Sequence, residues 1–168
     1  MVAQSPGPSG RGARPLVIGL GNDHRQDDRC GLEVVRELGR RREERARLAE
    51  CPGDALRLLD LWSDEREVIV VDAVRSGRRP GTVLRLEVSE EGLPSVGTTS
   101  THGLSLAEAI GLGRSLGRCP NRLIVYAIEA RDVGMGDGLS PEAAAGVREA
   151  ADRVAAELAH SRDGILSA

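Results

Sequence analysis

EVIVVDAV, residues 67–74, is the stretch from which the rest of the chain is read. Its apolar run shows no polar alternation, so a strand here must be covered on both faces, as in a parallel sheet packed between helices. The run ends at Asp72, a carboxylate that is costly to bury without a partner. In open sheets of this kind ligands gather at the carboxyl ends of the strands. Asp72 is therefore read as a functional group rather than a packed one.

The flanking sequence follows the same grammar. PLVIGL, 15–20, is a second short apolar run, and it ends in a glycine-rich turn. From about Cys30 to Arg47 the pattern is helical, with Leu32, Val35 and Leu38 on one face and REERARLAE carrying it on in solvent; Gly39 is the point where it can be interrupted. RLAEC, 47–51, allows a brief strand, and PGD, 52–54, offers Asp54 as the cap of the helix ALRLLDLW. Beyond Asp72, GRRPG reads as a turn and GTVLRLEV, 81–88, as a strand near an edge. SEEGLPSVGTTS reads as a polar, flexible connection into the helix THGLSLAEAIGLGRSLG, where Ser105 and Glu108 have the spacing of a capping box. RLIVYAIE, 122–129, is a strand, DVGMGDGLSP a loop, and Pro141 opens a last helix. Strands alternating with helices predict a three-layer α/β/α fold with a twisted, mostly parallel sheet flanked by helices. The expected organisation is a flexible arm over 1–14, one α/β domain over 15–160 and a tail over 161–168.

Composition narrows the function. The chain has 168 residues and a formal charge of -3, which gives no general electrostatic argument for nucleic acid or a membrane surface. Trp62 and Tyr126 are the only large rings, so recognition by stacking on bases or sugars is disfavoured. Cys30, Cys51 and Cys119 are far apart and form no CxxC, which fits reduced thiols better than a disulfide framework. No apolar run is long enough to cross a bilayer, and MVAQSPGPSGRGARP lacks the apolar centre of a signal peptide. The reading is a soluble, cytoplasmic protein.

The chemistry concentrates after the first strand, in GLGNDHRQDDRCGLEVVREL, 19–38. GLGN lacks the third glycine of a dinucleotide fingerprint, and the adjacent Asp27 and Asp28 would repel phosphate oxygens. Asn22 can fix the turn by bonding the backbone. Asp28 from this loop, Asp72 from the next strand end and His102 from the loop before the third helix can reach one sheet edge. Two carboxylates and an imidazole suit a divalent transition ion. Each also has a blander reading: Asp28 as a helix cap, Asp72 as a packed group, His102 as an ordinary loop histidine. Asp27 can cap the helix or orient Asp28. His24, Arg25 and DVGMGDG, 132–138, are candidates for the rim of a substrate groove or for plain surface.

Four segments in order, GLGN–RQDD–GLEVV, VIVVDAVRSGRRPGTVLRLE, STHGLSLAEAIGLGRSLG and VYAIEARDVGMGDGLSPE, resemble the hydrogenase maturation endopeptidases of [NiFe] hydrogenases, from about residue 15 to 158. The resemblance implies a cytoplasmic peptidase that removes the C-terminal extension of a hydrogenase large-subunit precursor once nickel is inserted. It implies a cut just beyond the last cysteine motif of the precursor, after a His or Arg. It implies that Asp28, Asp72 and His102 contact nickel supplied by the substrate rather than a metal of the enzyme's own. It implies no nucleic acid and no membrane, and a monomer apart from the substrate complex. Some relatives have glutamate where Asp28 stands, a methylene longer. The position of Arg29 is commonly glycine; a positive φ there would give Arg29 a backbone cost.

Two mechanistic routes are open: nickel as Lewis acid, or nickel as positioning element while a carboxylate, Asp72 by preference, acts as base. Cys30 lies near a helix start, but no histidine partners it as a thiol nucleophile would require. A nickel-dependent chaperone or scaffold that does not cut, and a hydrolase holding its own divalent metal, are the alternatives.

Overall fold

The computed structural model describes residues 14–94, 99–100 and 103–163. The strands are β1 (Leu16–Leu20), β2 (Arg47–Cys51), β3 (Glu67–Arg75), β4 (Val83–Glu87), β5 (Thr99–Ser100) and β6 (Arg122–Glu129). The helices are α1 (Cys30–Arg40), α2 (Ala55–Trp62), α3 (Gly103–Ser115) and α4 (Pro141–Asp163). One sheet runs β2–β1–β3–β6–β4. Its first three pairings are parallel; β4 closes one edge antiparallel to β6, and β5 pairs antiparallel with Val74 and Arg75 of β3. This is the expected three-layer α/β/α fold with a mostly parallel sheet.

The two-residue period of the strands sorts their side chains into two cores. Val17, Ile69, Val71, Ile124, Tyr126 and Ile128 pack with α1 and α4. Leu16, Ile18, Val68, Val70, Leu123 and Val125 pack with α2 and α3. Each buried Val, Leu or Ile contributes about 1.5–3 kcal/mol by area removed from water. No helix among the described residues is long and apolar enough to cross a membrane.

Several local expectations need correction. Helix α1 stops at Arg40 instead of running on toward Arg47. Arg42 takes the left-handed conformation, φ 54, and the amides of Arg42 and Glu43 donate back to the carbonyls of Gly39 and Leu38. That is a Schellman closure made without glycine at its left-handed position. Gly39 itself sits inside the helix. The stretch read as a polar connection contributes β5. Helix α3 begins at Gly103, so Ser105 lies within it rather than at the N-cap. Asp54 does cap α2, accepting the amide of Arg57 at 2.8 Å.

The topology fixes where a site can be. Strand β1 leads into α1 on one face of the sheet, while the helix that precedes β6, α3, lies on the other. The crevice at the carboxyl ends of the adjacent β1 and β3 is therefore the switch point where open α/β sheets place their ligands.

Candidate active site

Two glycines allow this crevice to be tight. A Cβ on Gly31 would lie 2.2 Å from the carbonyl oxygen of Val71 and 2.3 Å from that of Leu20. A Cβ on Gly19 would lie 2.2 Å from the oxygen of Gly31. The first turn of α1 thus rests directly on the end of β1 and on β3 at Val71, an approach no side chain permits. The pairing with β1 stops at Val71, but β3 itself runs on to Arg75, so Asp72 lies within the strand rather than at its end as expected. One turn of 3-10 helix, Gln26–Arg29, leads into α1 and packs against β3. Asp28, in that turn, is 0 % exposed, and Asp72, the residue after Val71, is 1 % exposed.

Cys30 records how closely the carboxylates gather. Burial pushes its thiol well above the usual range, and the charges of Asp27, Asp72 and Asp28 push it further the same way. A thiol in such a field stays protonated, which agrees with the reading that Cys30 is not a nucleophile. By strand alternation Asp72 belongs to the α2/α3 face with Val68 and Val70. Its Oδ1 accepts the amide of Ala73 at 2.8 Å, which fixes the carboxylate against its own strand.

The capping reading of Asp28 fails, because Arg29 occupies the N-cap of α1 and makes no side-chain cap bond. Arg29 carries no backbone cost either: its φ is -81. Its guanidinium instead pairs with Asp23 and Glu33 at 3.2 and 3.1 Å. The glycine that the local geometry needs is two residues on, at Gly31. The backbone exception is Gln26, φ 22. Asn22 behaves as expected, its Oδ1 accepting the amide of His24 at 2.9 Å.

Asp27 does not cap α1. It is 0 % exposed and accepts from the amides of Arg131, Asp132 and Ser140 and from the hydroxyl of Ser140, at 2.7–3.2 Å. Glu129, at the end of β6, is a buried carboxylate the sequence reading passed over. It accepts from the amides of Ser76 and Gly77 and from the Ser76 hydroxyl, and so holds the turn after β3. The signal was there: RLIVYAIE ends an apolar run on an acid just as EVIVVD does. Arg25 donates to the carbonyl of Val133 at 3.1 Å, tying the first loop to the loop after β6. His24 and Met135 are exposed nearby in sequence to those contacts.

His102 lies outside the described residues; its described neighbours are Ser100 of β5 and Gly103, the first residue of α3. Among the described residues no three His, Cys, Asp or Glu side chains group to hold a metal ion. Asp28 and Asp72 are both buried, and the charges of both act on the thiol of Cys30, so each is a carboxylate of low solvation near the start of α1.

A family model described as "Hydrogenase maturation protease" matches residues 32–157. The chain is 28% identical over 153 residues to the hydrogenase 2 maturation protease of Escherichia coli K12, covering 88% of this chain and 92% of the relative. The solved hydrogenase maturating endopeptidase of E. coli superposes with TM-score 0.76 at 27% identity, over 88% of this chain and 93% of that one. A [NiFe] hydrogenase maturation protease from Thermococcus kodakarensis, at 24% identity and TM-score 0.69, shares the fold over 84% of this chain and 96% of its own.

Proposed function

The chain belongs to the hydrogenase maturation protease family and is a peptidase, and on that premise we propose that it removes the C-terminal extension of a [NiFe] hydrogenase large-subunit precursor after nickel insertion. The substrate's nickel is the recognition element, and Asp28, Asp72 and His102 are the side chains that meet it. The observation that carries this reading is the burial of Asp28 and Asp72 at the switch point of the sheet, with α1 pressed onto β1 and β3 by Gly19 and Gly31. A precursor's nickel, already held by thiolates, is a cation that such buried oxygen donors suit. Asp72 lies on the face of the sheet covered by α3, and His102 immediately precedes α3 in the chain. The nitrogen of an imidazole with two carboxylate oxygens is a donor set suited to nickel.

In this reading docking of the metallated precursor places the scissile amide against Asp72. Asp72 takes a proton from the attacking water, and the amine leaving with the extension is protonated in turn. Nickel contributes the position of the peptide and, where its shell reaches the carbonyl or the water, polarisation. Gating follows without a separate switch, since a precursor lacking nickel presents nothing for the carboxylates to bind. The protein acts in the cytoplasm, as a monomer apart from this complex, and retains no nickel of its own.

The test is the intact mass of a large-subunit precursor co-produced with this protein, in nickel-replete and nickel-starved cells. Loss of a C-terminal peptide only with both protein and nickel is the expected result. Cleavage of nickel-free precursor at the same rate would refute the recognition role.

A further inference from the structure

We infer that Asp27 is a positioning residue for Asp28, and that it does so by stapling the turn that carries Asp28 to both feet of the loop between β6 and α4. The inference rests on the reading of Asp28 as a nickel contact.

The bonds are specific. One foot of the loop reaches Asp27 Oδ2 through the amides of Arg131, 2.8 Å, and Asp132, 3.2 Å. The other reaches it through Ser140, whose amide lies 2.7 Å from Oδ1 and whose hydroxyl lies 2.8 Å from Oδ2. Ser140 is also the cap of α4: its hydroxyl accepts the amide of Ala143 at 3.2 Å. Asp27 therefore sits where the positive end of α4 favours an anion. The Asp27 amide returns a bond to the carbonyl of Asp132 at 3.0 Å. Four donors on one fully buried carboxylate leave it little capacity to ligate a metal or accept a proton from water. Its work is geometric.

What it holds in place is the next residue. Gln26 is in a sparsely populated backbone region, φ 22, and its amide is bonded to the carbonyl of Gly136 at 3.1 Å. The amide of Gly136 is bonded in turn to the carbonyl of His24 at 3.2 Å. A strained residue persists only where its surroundings over-determine it. Here that surrounding is the same loop Asp27 grips, and the Asp28 amide closes the turn on the carbonyl of Arg25 at 2.8 Å. Side chains that orient a metal-contacting group act through such bonds.

The readout is nickel selectivity: the affinity and cleavage rate for nickel-loaded precursor divided by those for nickel-free precursor. Asp27→Asn presents an amide N–H2 to groups that are themselves donors. It is expected to lower that ratio about 10- to 100-fold, through KM more than kcat. Ser140→Ala removes one of the four bonds to Asp27 together with the hydroxyl cap of α4 and is expected to lower the ratio in the same direction by less; it carries the test if Asp27→Asn does not fold. Glu129→Gln loosens the comparable clamp on the neighbouring turn and is expected to leave the ratio unchanged. Equal effects of Asp27→Asn and Glu129→Gln would overturn the inference by reducing it to general loosening. If Asp28→Asn abolishes selectivity while Asp27→Asn and Ser140→Ala keep it, the inference alone fails. If Asp28→Asn itself keeps full selectivity, the reading of Asp28 fails.

Discussion

Apart from the surface pairs of Arg29 and Arg36, the two ends of the sheet hold their enclosed acidic residues in different ways. At the amino-terminal end carboxylates meet arginines: Glu65 pairs with Arg47, Glu67 with Arg122, and Glu157 with Arg85 at 2.7 Å and Arg122 at 2.8 Å. The Arg85 guanidinium, with Arg122 and the Tyr126 hydroxyl, holds the Glu157 carboxyl at about 2 against the opposite pull of its partial burial. At the carboxyl end Asp27 and Glu129 are held by backbone amides and serine hydroxyls, and Asp28 and Asp72 are buried beside them. Paired acids with arginine partners are a fastening. Asp27 and Glu129 are instead fixed by neutral donors, amides and hydroxyls, which tie each carboxylate to a particular loop.

The sharpest way to break this comparison is at the carboxyl end. Asp72→Asn keeps the shape and removes the charge, and is expected to lower cleavage of nickel-loaded precursor by about 10²- to 10⁴-fold with an unchanged circular dichroism spectrum. Near-normal cleavage would remove Asp72 from the chemistry. Gly31→Ala comes next. Its methyl group meets backbone oxygens of both β1 and β3, so neither neighbour can rotate away. The expected cost is about 1–3 kcal/mol in denaturant unfolding, with activity falling as the α1 turn is displaced. A stable, fully active variant would mean that the close approach is not needed.

Glu157→Gln probes the other end, and is expected to reduce stability while leaving cleavage unchanged. The folded carboxyl titrates at about 2 against an ordinary 4.5, so its contribution is fully present above 4.5 and disappears as pH falls toward 2. Thermal melts of wild type and Glu157→Gln should therefore converge over that range. A gap that stays constant with pH would contradict the ion pairing. The smallest effect is expected at Cys30→Ser, which should cut normally and lose only the slow labelling of a buried thiol. Loss of activity with an unchanged melting temperature would return the thiol to the mechanism.

Much of this arrangement was legible before the structure. The unbroken apolar runs ending at Leu20, Asp72 and Glu129 each became a strand covered on both faces, because burial on two sides leaves a composition signal that burial on one does not. The stop of α1 was not legible, since the closing left-handed residue is Arg42 where glycine is the usual sign. β5 was missed because two residues carry no period. The division of labour between Asp27 and Asp28 lies beyond sequence spacing. Adjacent residues in a 3-10 turn point in different directions, and the partners of Asp27 come from more than a hundred positions away. Likewise the cost assigned to Arg29 came from a family pattern, whereas the backbone places the steric demand at Gly31.

The central claim is that the buried carboxylates recognise the nickel of the precursor. Nickel X-ray absorption of the loaded precursor, alone and freeze-quenched with this protein, tests it directly. The account predicts that oxygen and nitrogen neighbours join the thiolate shell with the wild-type protein and are lost with Asp28→Asn, Asp72→Asn and His102→Ala combined. An unchanged nickel shell in a mixture that is nonetheless cleaved would contradict it.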